Sequence, residues 1–260
     1  MEYATEGIVL ARYDWSESSQ ILHALTPDRG RVSLLARGIK KPNPSLKGPA
    51  DLFHRARLVF RLRPDAELAL LSRYEPVTGH PGLRESLERL YAAFYLTELV
   101  HRMQRELDPA PDAYRILARA LFSLEEAGPG AAVGIAAAAE LGLLDAAGFG
   151  LRTGEGEGPD LVFHAGSGGW VSRDEAPRDG AAREVAPGTR AVVRALAAAG
   201  PGGAARIRLS AGQREEILGL LARLHREVLD RPLASEPFLR DVRHGRGWPR
   251  RPGPAAARRG

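Results

Sequence analysis

Over residues 1–76 apolar and polar positions alternate in short runs, separated by residues that turn the chain. Segments 5–13, 19–26 and 31–37 each read as a strand, and Thr26-Pro-Asp-Arg-Gly30 is the clearest hairpin signal between them. The cleanest alternation falls at 55–63, where Ala56, Leu58, Phe60 and Leu62 share one face and Arg55, Arg57, Arg61 and Arg63 the other. That strand predicts a core face and a basic face. A turn at Pro64-Asp65 leads into a fifth strand over 67–74. Five short strands in so little chain suit a small closed barrel. The oligonucleotide-binding OB-fold is the commonest such barrel, and an SH3-like barrel or a bare meander fits the same pattern.

After Pro76 the period becomes helical. Leu83, Leu87, Leu90, Tyr91, Phe94, Leu99 and Met103 form a stripe at three- and four-residue spacing, and Tyr114, Leu117, Leu121 and Leu124 repeat it between Asp112 and Gly128-Pro-Gly130. An alanine-rich third helix covers 131–147. Two more are expected at 189–199 and 210–230, the latter opening on the capping-box pattern Ser210-Ala-Gly-Gln213. These stripes are read as core. Residues 150–188 interrupt the helices with the glycine-rich run Thr153-Gly-Glu-Gly-Glu-Gly-Pro-Asp160 and a hairpin of 161–164 with 170–172. Residues 243–260 combine Pro, Gly and Arg with no acid and are expected to be a disordered basic tail. The predicted class is α+β: a five-stranded barrel over 1–78, a helical domain over 79–242 carrying the 150–188 insertion, then the tail.

Charge sharpens the barrel's role. The formal net charge is +5, and between Arg29 and Arg63 ten basic residues face a single acid, Asp51. The chain's three lysines, Lys40, Lys41 and Lys47, all lie in that window. Such a concentration favours a polyanionic partner. Arg31, Arg37, Lys40, Lys41, Lys47, Arg55, Arg57 and Arg61 are the candidate DNA-binding residues, expected to track phosphates without reading sequence and to weaken with salt. Trp15 is a candidate for stacking on bases, whereas Tyr13 and Phe53 are expected in the core.

Other chemistries find little support. The chain has no cysteine, which excludes disulfides, thiolate metal ligands and cysteine nucleophiles. Gly128-Pro-Gly-Ala-Ala-Val-Gly134 has the wrong spacing for a dinucleotide loop, and Ala165-Gly-Ser-Gly-Gly169 lacks the first glycine of a nucleophile elbow around Ser167. The seven histidines are scattered without ligand spacing. Glu125-Glu126 and Glu215-Glu216 read as solvated helical faces. No enzyme, metal or cofactor is expected. No apolar run approaches the roughly 18 residues that span a bilayer, and the start, Met1-Glu-Tyr-Ala-Thr, lacks the pattern of a secretory signal, so a cytoplasmic protein is expected.

An ordered set of motifs carries a family resemblance. Glu6-Gly-Ile-Val-Leu10, Trp15-Ser-Glu-Ser-Ser-Gln-Ile-Leu22, Leu25-Thr-Pro-Asp-Arg-Gly-Arg-Val32 and Ala36-Arg-Gly-Ile-Lys-Lys-Pro42 resemble the N-terminal motifs of the RecO family. Leu46-Lys-Gly, Leu52-Phe, Glu75-Pro, Leu83-Arg-Glu and Tyr95-Leu-Thr-Glu-Leu99 resemble its strand-to-helix passage. Glu140-Leu-Gly-Leu-Leu-Asp-Ala-Ala-Gly-Phe149 and Leu233-Ala-Ser-Glu-Pro-Phe-Leu239 resemble its later motifs, so the likeness covers most of 1–242. It implies an N-terminal OB-fold and a helical domain. It also implies a mediator of recombinational repair that binds ssDNA and dsDNA, anneals complementary strands and helps load RecA onto strands coated by single-stranded-DNA-binding protein (SSB). RecR and the acidic C-terminal tail of SSB are the implied partners, with Arg115 and Arg119 as available cations for that tail. Many members hold zinc with two CxxC pairs in the region of 153–175. With no cysteine there, the insertion is a degenerate zinc-finger region and no zinc is expected. An RNA-binding OB protein, a docking scaffold and a hydrolase are the rival readings.

Overall fold

The computed structural model describes residues 1–63, 66–152, 160–229 and 231–241. The expected tail at 243–260, the glycine-rich run 153–159 and the turn at 64–65 lie outside the described residues. The barrel strands are β1 (Glu2–Asp14), β2 (Gln20–Thr26), β3 (Gly30–Ala36), β4 (Arg55–Arg61) and β5 (Ala69–Thr78). They close in the order β1-β2-β3-β5-β4, with β4 antiparallel to β1 and β3 parallel to β5. This is the OB-fold.

The alternation read at β4 holds. Ala56, Leu58 and Phe60 are buried with Val9, Leu22, Leu34, Ile39, Leu71 and Tyr74 in the barrel core, while Arg57 and Arg61 stand in water. β5 breaks its own alternation. The register shifts between Val59 and Phe60, which pair with Arg73 and Leu71, so Ser72 is the extra residue and both Ser72 and Arg73 face outward.

A short 3-10 helix, Pro81–Glu85, leads into α1 (Leu87–Met103), followed by α2 (Pro111–Glu125), α3 (Ala132–Ala146), α4 (Pro187–Ala204), α5 (Ala211–Val228) and α6 (Glu236–Asp241). α3 is the centre: it packs against α1, α2, α4 and α5, and its many alanines let those neighbours come close on every side. The helix expected to end at 199 continues to Ala204 across a break at Gly200-Pro201, where Gly200 takes a φ of 58°. α5 opens on the expected capping box, Gln213 N–H donating to Ser210 Oγ at 3.2 Å and Ser210 N–H to Gln213 Oε1 at 3.0 Å.

The insertion contributes β6 (Leu161–His164) and β7 (Gly169–Ser172), an antiparallel hairpin whose Phe163 and Trp170 are buried among the helical core residues. The barrel joins the helices through the β2–β3 turn. Leu107 N–H donates to Arg31 O at 2.9 Å and Ala110 N–H to Pro27 O at 3.1 Å. Gly30 makes this approach possible: its φ is +57° and a Cβ there would meet Asp108 O at 1.8 Å.

Candidate nucleic-acid interface

Because β5 lies between β3 and β4, arginines from distant parts of the chain share one outer face. β4 supplies Arg57 and Arg61, β5 supplies Arg73, and Arg37 follows the end of β3. Arg37, Arg61 and Arg63 line a cavity of about 260 Å3 floored by Leu35, Leu68 and Leu70. Among the described residues Arg37, Arg57, Arg63 and Arg73 enter no ion pair. Arg61 meets Glu2 at 3.3 Å, and Lys47 meets Glu75 at 2.7 Å and depresses that carboxyl's pKa. Exposed pairs of this kind contribute only about 0.2–1 kcal/mol, so a phosphate can exchange for either carboxylate.

The other sequence candidates lie elsewhere. Lys40 bends over the β1–β2 turn to Asp14 at 2.8 Å, and its hydrogen bond holds the Asp14 carboxyl below the usual range; Lys41 stands exposed beside it. Arg31 and Arg55 face the helical domain. Arg31 donates to His101 Nε2 at 3.2 Å and lies 3.8 Å from Glu106, while Arg55 lies 3.9 Å from Glu6, which also accepts from Tyr114 Oη at 3.2 Å. The basic face therefore consists of Arg37, Arg57, Arg61 and Lys47, joined by Arg63 and Arg73. Strict alternation from buried Ala69 and Leu71 would turn Arg73 inward; the bulge at Ser72 turns it out, and no local sequence signal marks that bulge.

On another side of the barrel a cleft of about 870 Å3 opens between β1, the start of β3 and helices α1 and α6. Tyr13 lies at its edge and is 53% exposed, against the expectation that it sits in the core. β4 covers β1 only from Glu2 to Ile8, so beyond that point β1 runs on as an uncovered edge of the β1-β2-β3 sheet. Trp15, in the β1–β2 turn, is 65% exposed, and Phe53 is buried as expected. Tyr13, His23 and His101 form a chain of rings with centroids 5.6 Å and 5.0 Å apart. Burial, then His23 and Arg31, lower the His101 pKa from 6.5 to about 4, and burial followed by Arg31 lowers that of His23.

This yields a pH dependence with a definite sign. The unfolded chain protonates His101 near 6.5 and the folded chain only near 4, so stability is complete above pH 6.5 and falls as the pH drops through that window. Discounted for the ring's partial exposure, the loss is about 1–2 kcal/mol. Thermal unfolding of the wild type from pH 7 to 4 should show it, and His101→Gln should flatten the slope.

Of the four carboxylates read as solvated, Glu126 and Glu215 are exposed, whereas Glu125 and Glu216 are structural. Glu125 accepts from His80 Nδ1 at 2.7 Å and Gly82 N–H at 3.1 Å, and Glu216 accepts from Thr189 Oγ1 and from Ala186 N–H at 3.2 Å where α4 begins. In the hairpin, Ser167 Oγ lies 2.8 Å from His164 Nδ1, and Asp179 3.0 Å from Nε2. The Ser167 backbone N–H also donates to Nδ1 at 3.0 Å, so that nitrogen caps the 3-10 turn Ala165–Ser167. Among the described residues no group of three or more His, Asp or Glu side chains is placed to hold a metal ion, and the donor set does not fit the zinc that the resemblance implies. Arg115 pairs with Asp112, and Arg119 lies over the half-exposed Phe122 ring at 5.7 Å, both on the outer side of α2. No helix among the described residues is long and apolar enough to cross a membrane.

A closed five-stranded barrel with an arginine-rich outer face, followed by an α-helical domain, defines a two-domain OB-fold protein. The N-terminal model of recombination protein O matches residues 1–80 and its C-terminal model residues 84–237. The DNA repair protein RecO of Anaeromyxobacter dehalogenans strain 2CP-C is 32% identical over 244 residues, 91% of this chain and 95% of that protein. That of Roseiflexus sp. strain RS-1 is 31% identical over 249 residues, 93% and 86% of the two chains. That of Pelotomaculum thermopropionicum is 36% identical over 115 residues, 44% of each. The chain belongs to the RecO family of DNA repair and recombination proteins.

Proposed function

We propose that this chain binds single- and double-stranded DNA through the β3-β5-β4 face of the barrel and anneals complementary strands. In this reading it helps load RecA onto SSB-coated single strands, at the nucleoid and without catalytic chemistry or a bound metal. The observation that carries it is the convergence of Arg37, Arg57, Arg61, Arg63 and Arg73 on one face, four of them outside any ion pair among the described residues. Annealing needs two phosphate backbones to approach each other, and a face of cations lowers their repulsion by neutralising charge and releasing counterions. Arginine suits the task because its guanidinium stays charged and binds phosphate oxygens in pairs. RecR and the acidic C-terminal tail of SSB are the partners proposed with it. Arg115 and Arg119 beside Phe122 offer such a tail two cations and an aromatic surface on α2.

Triple replacement of Arg57, Arg61 and Arg73 by glutamate tests the reading. Affinity for DNA at low salt should fall at least about tenfold, with log K less steep in log salt by about 0.7 for each single-strand phosphate no longer neutralised. Annealing by the isolated chain should fall with it. Unchanged affinity in a folded variant would return the barrel to a scaffold role, and a preference for RNA in competition at fixed salt would favour the RNA-binding rival.

A further inference from the structure

The cleft between the barrel and α1 is built differently from the arginine face. Its walls carry Tyr13, His101 and Phe94, and its rim carries Arg102 and Arg231. Each element contributes for a local reason. The end of β4's pairing at Ile8 leaves Tyr13 on an open sheet edge, β2 places His23 behind it, and the last turn of α1 brings His101 to complete the row of rings. His101 Nε2 accepts from Arg31, and Ser33 Oγ lies 3.0 Å from His23 Nδ1, so both imidazoles are fixed in place. The depressed pKa values of both rings leave them uncharged at neutral pH. The surface they offer is therefore aromatic rather than ionic.

The rim supplies charge. Arg102 is held by Glu98 at 2.9 Å and by the backbone carbonyls of Arg231 and Pro232 at 3.1 Å and 2.9 Å. The exposed Arg231 side chain enters no ion pair among the described residues. An uncharged π-surface beside a guanidinium outside any ion pair among the described residues matches a nucleotide, whose base stacks and whose phosphate pairs. A cleft of about 870 Å3 falls within the size of small-ligand sites, roughly 300–1,000 Å3, and a duplex keeps its base faces stacked on one another. Only an unpaired base has a free face to offer.

We propose that this cleft is a second nucleic-acid site, which takes an unpaired base on Tyr13 with its phosphate at Arg231. It lies on the β1 to β3 side, apart from the β3-β5-β4 arginine face, so one molecule presents two separate surfaces to DNA. The arginine face does not distinguish single strands from duplexes, and the cleft does.

The test uses the full chain and a short oligo(dT) carrying one 2-aminopurine, whose fluorescence is quenched when the base stacks. The wild type should quench it, and Tyr13→Phe should behave alike because the ring is kept. Tyr13→Ala should lose the quench and bind oligo(dT) about fivefold or more weakly, the loss expected for one base–aromatic stack, with blunt-duplex affinity unchanged. Tyr13 is exposed, so the folded state should survive, which circular dichroism checks. The variant with Arg57, Arg61 and Arg73 changed to glutamate should still quench at saturating oligo(dT), which separates this site from the arginine face. The proposal is overturned if Tyr13→Ala binds oligo(dT) normally, if it weakens duplex and single strand equally, or if the arginine variant fails to quench at saturation. It is also overturned if an acidic peptide binds in a Tyr13-dependent way while oligo(dT) does not.

Discussion

Trp170→Ala is expected to destabilise the protein by about 3–5 kcal/mol, the usual cost of removing a fully buried tryptophan from a core. Trp170 is 1% exposed, with its ring edge-on to Phe163 at a centroid distance of 5.2 Å. Both rings enter the helical core beside Leu141, Val193, Ile217, Leu221 and Leu224, where a residual void of only about 10 Å3 remains. Alanine would leave a cavity that these neighbours, fixed on three different helices, can fill only in part. For a chain of this size the midpoint of thermal unfolding should drop by about 10 °C. Adding a chelator to the wild type should leave the midpoint where it is, since Phe163 and Trp170 pack the hairpin into the core and the chain has no cysteine to hold zinc there. A chelator-induced drop, or an unchanged midpoint in Trp170→Ala, would refute this account of the insertion.

A comparable loss is expected from Glu140→Ala in the heart of the helical domain. Glu140 and His225 are both wholly buried, with His225 Nδ1 3.0 Å from Glu140 Oε1, and the Tyr95 hydroxyl donates to the other carboxylate oxygen. Burial and the neighbouring carboxylate push the Tyr95 pKa well up, so the phenol stays a donor. Glu236 lies 3.6 Å from His225 Nε2 and meets Arg226 and Arg240 at 3.4 Å and 3.3 Å. Removing Glu140 alone takes the shared acceptor from His225 and from the Tyr95 hydroxyl, which lie 3.3 Å apart and replace it only in part, at a cost of about 3–5 kcal/mol. Replacing all three inner groups by apolar residues of similar size, Glu140→Leu, His225→Leu and Tyr95→Phe, should recover most of that loss in urea unfolding. If the single and triple variants are equally unstable, the network contributes something beyond mutual satisfaction of its polar groups.

Much of the architecture was legible in residues 1–241 because it rests on local periods. The two-residue alternation at Arg55–Arg61 placed Phe60 inside and Arg57 outside, and the spacing of Leu117, Leu121 and Leu124 marked a buried helix face. What escaped depends on residues far apart. Tyr13 reads as core until the partners of β1 are known, since β4 leaves its far end uncovered. Lys40 and Lys47 sit seven positions apart in sequence, and the chain path sends one to Asp14 and the other to Glu75. The insertion of β5 between β3 and β4, which assembles the arginine face, follows from barrel closure and from no motif. The pair of Glu140 and His225 spans 85 residues, too far for any spacing rule. α6 is six residues long and carries too short a pattern to read.

The junction at the β2–β3 turn is sealed by packing as well as by hydrogen bonds. Ile8, Leu10, Leu25 and Phe53 belong to the barrel by sequence, yet they are buried in the same continuous core as Leu96, Leu99 and Leu117 of the helices. A barrel severed from its helices would turn those side chains to water and lose the backbone bonds at Pro27 and Arg31. Barrel and helices thus share part of one core, while the barrel keeps a second buried cluster of its own around Leu34, Leu58 and Phe60. Separating the barrel from the helices would therefore bare apolar surface on both sides of the junction at once.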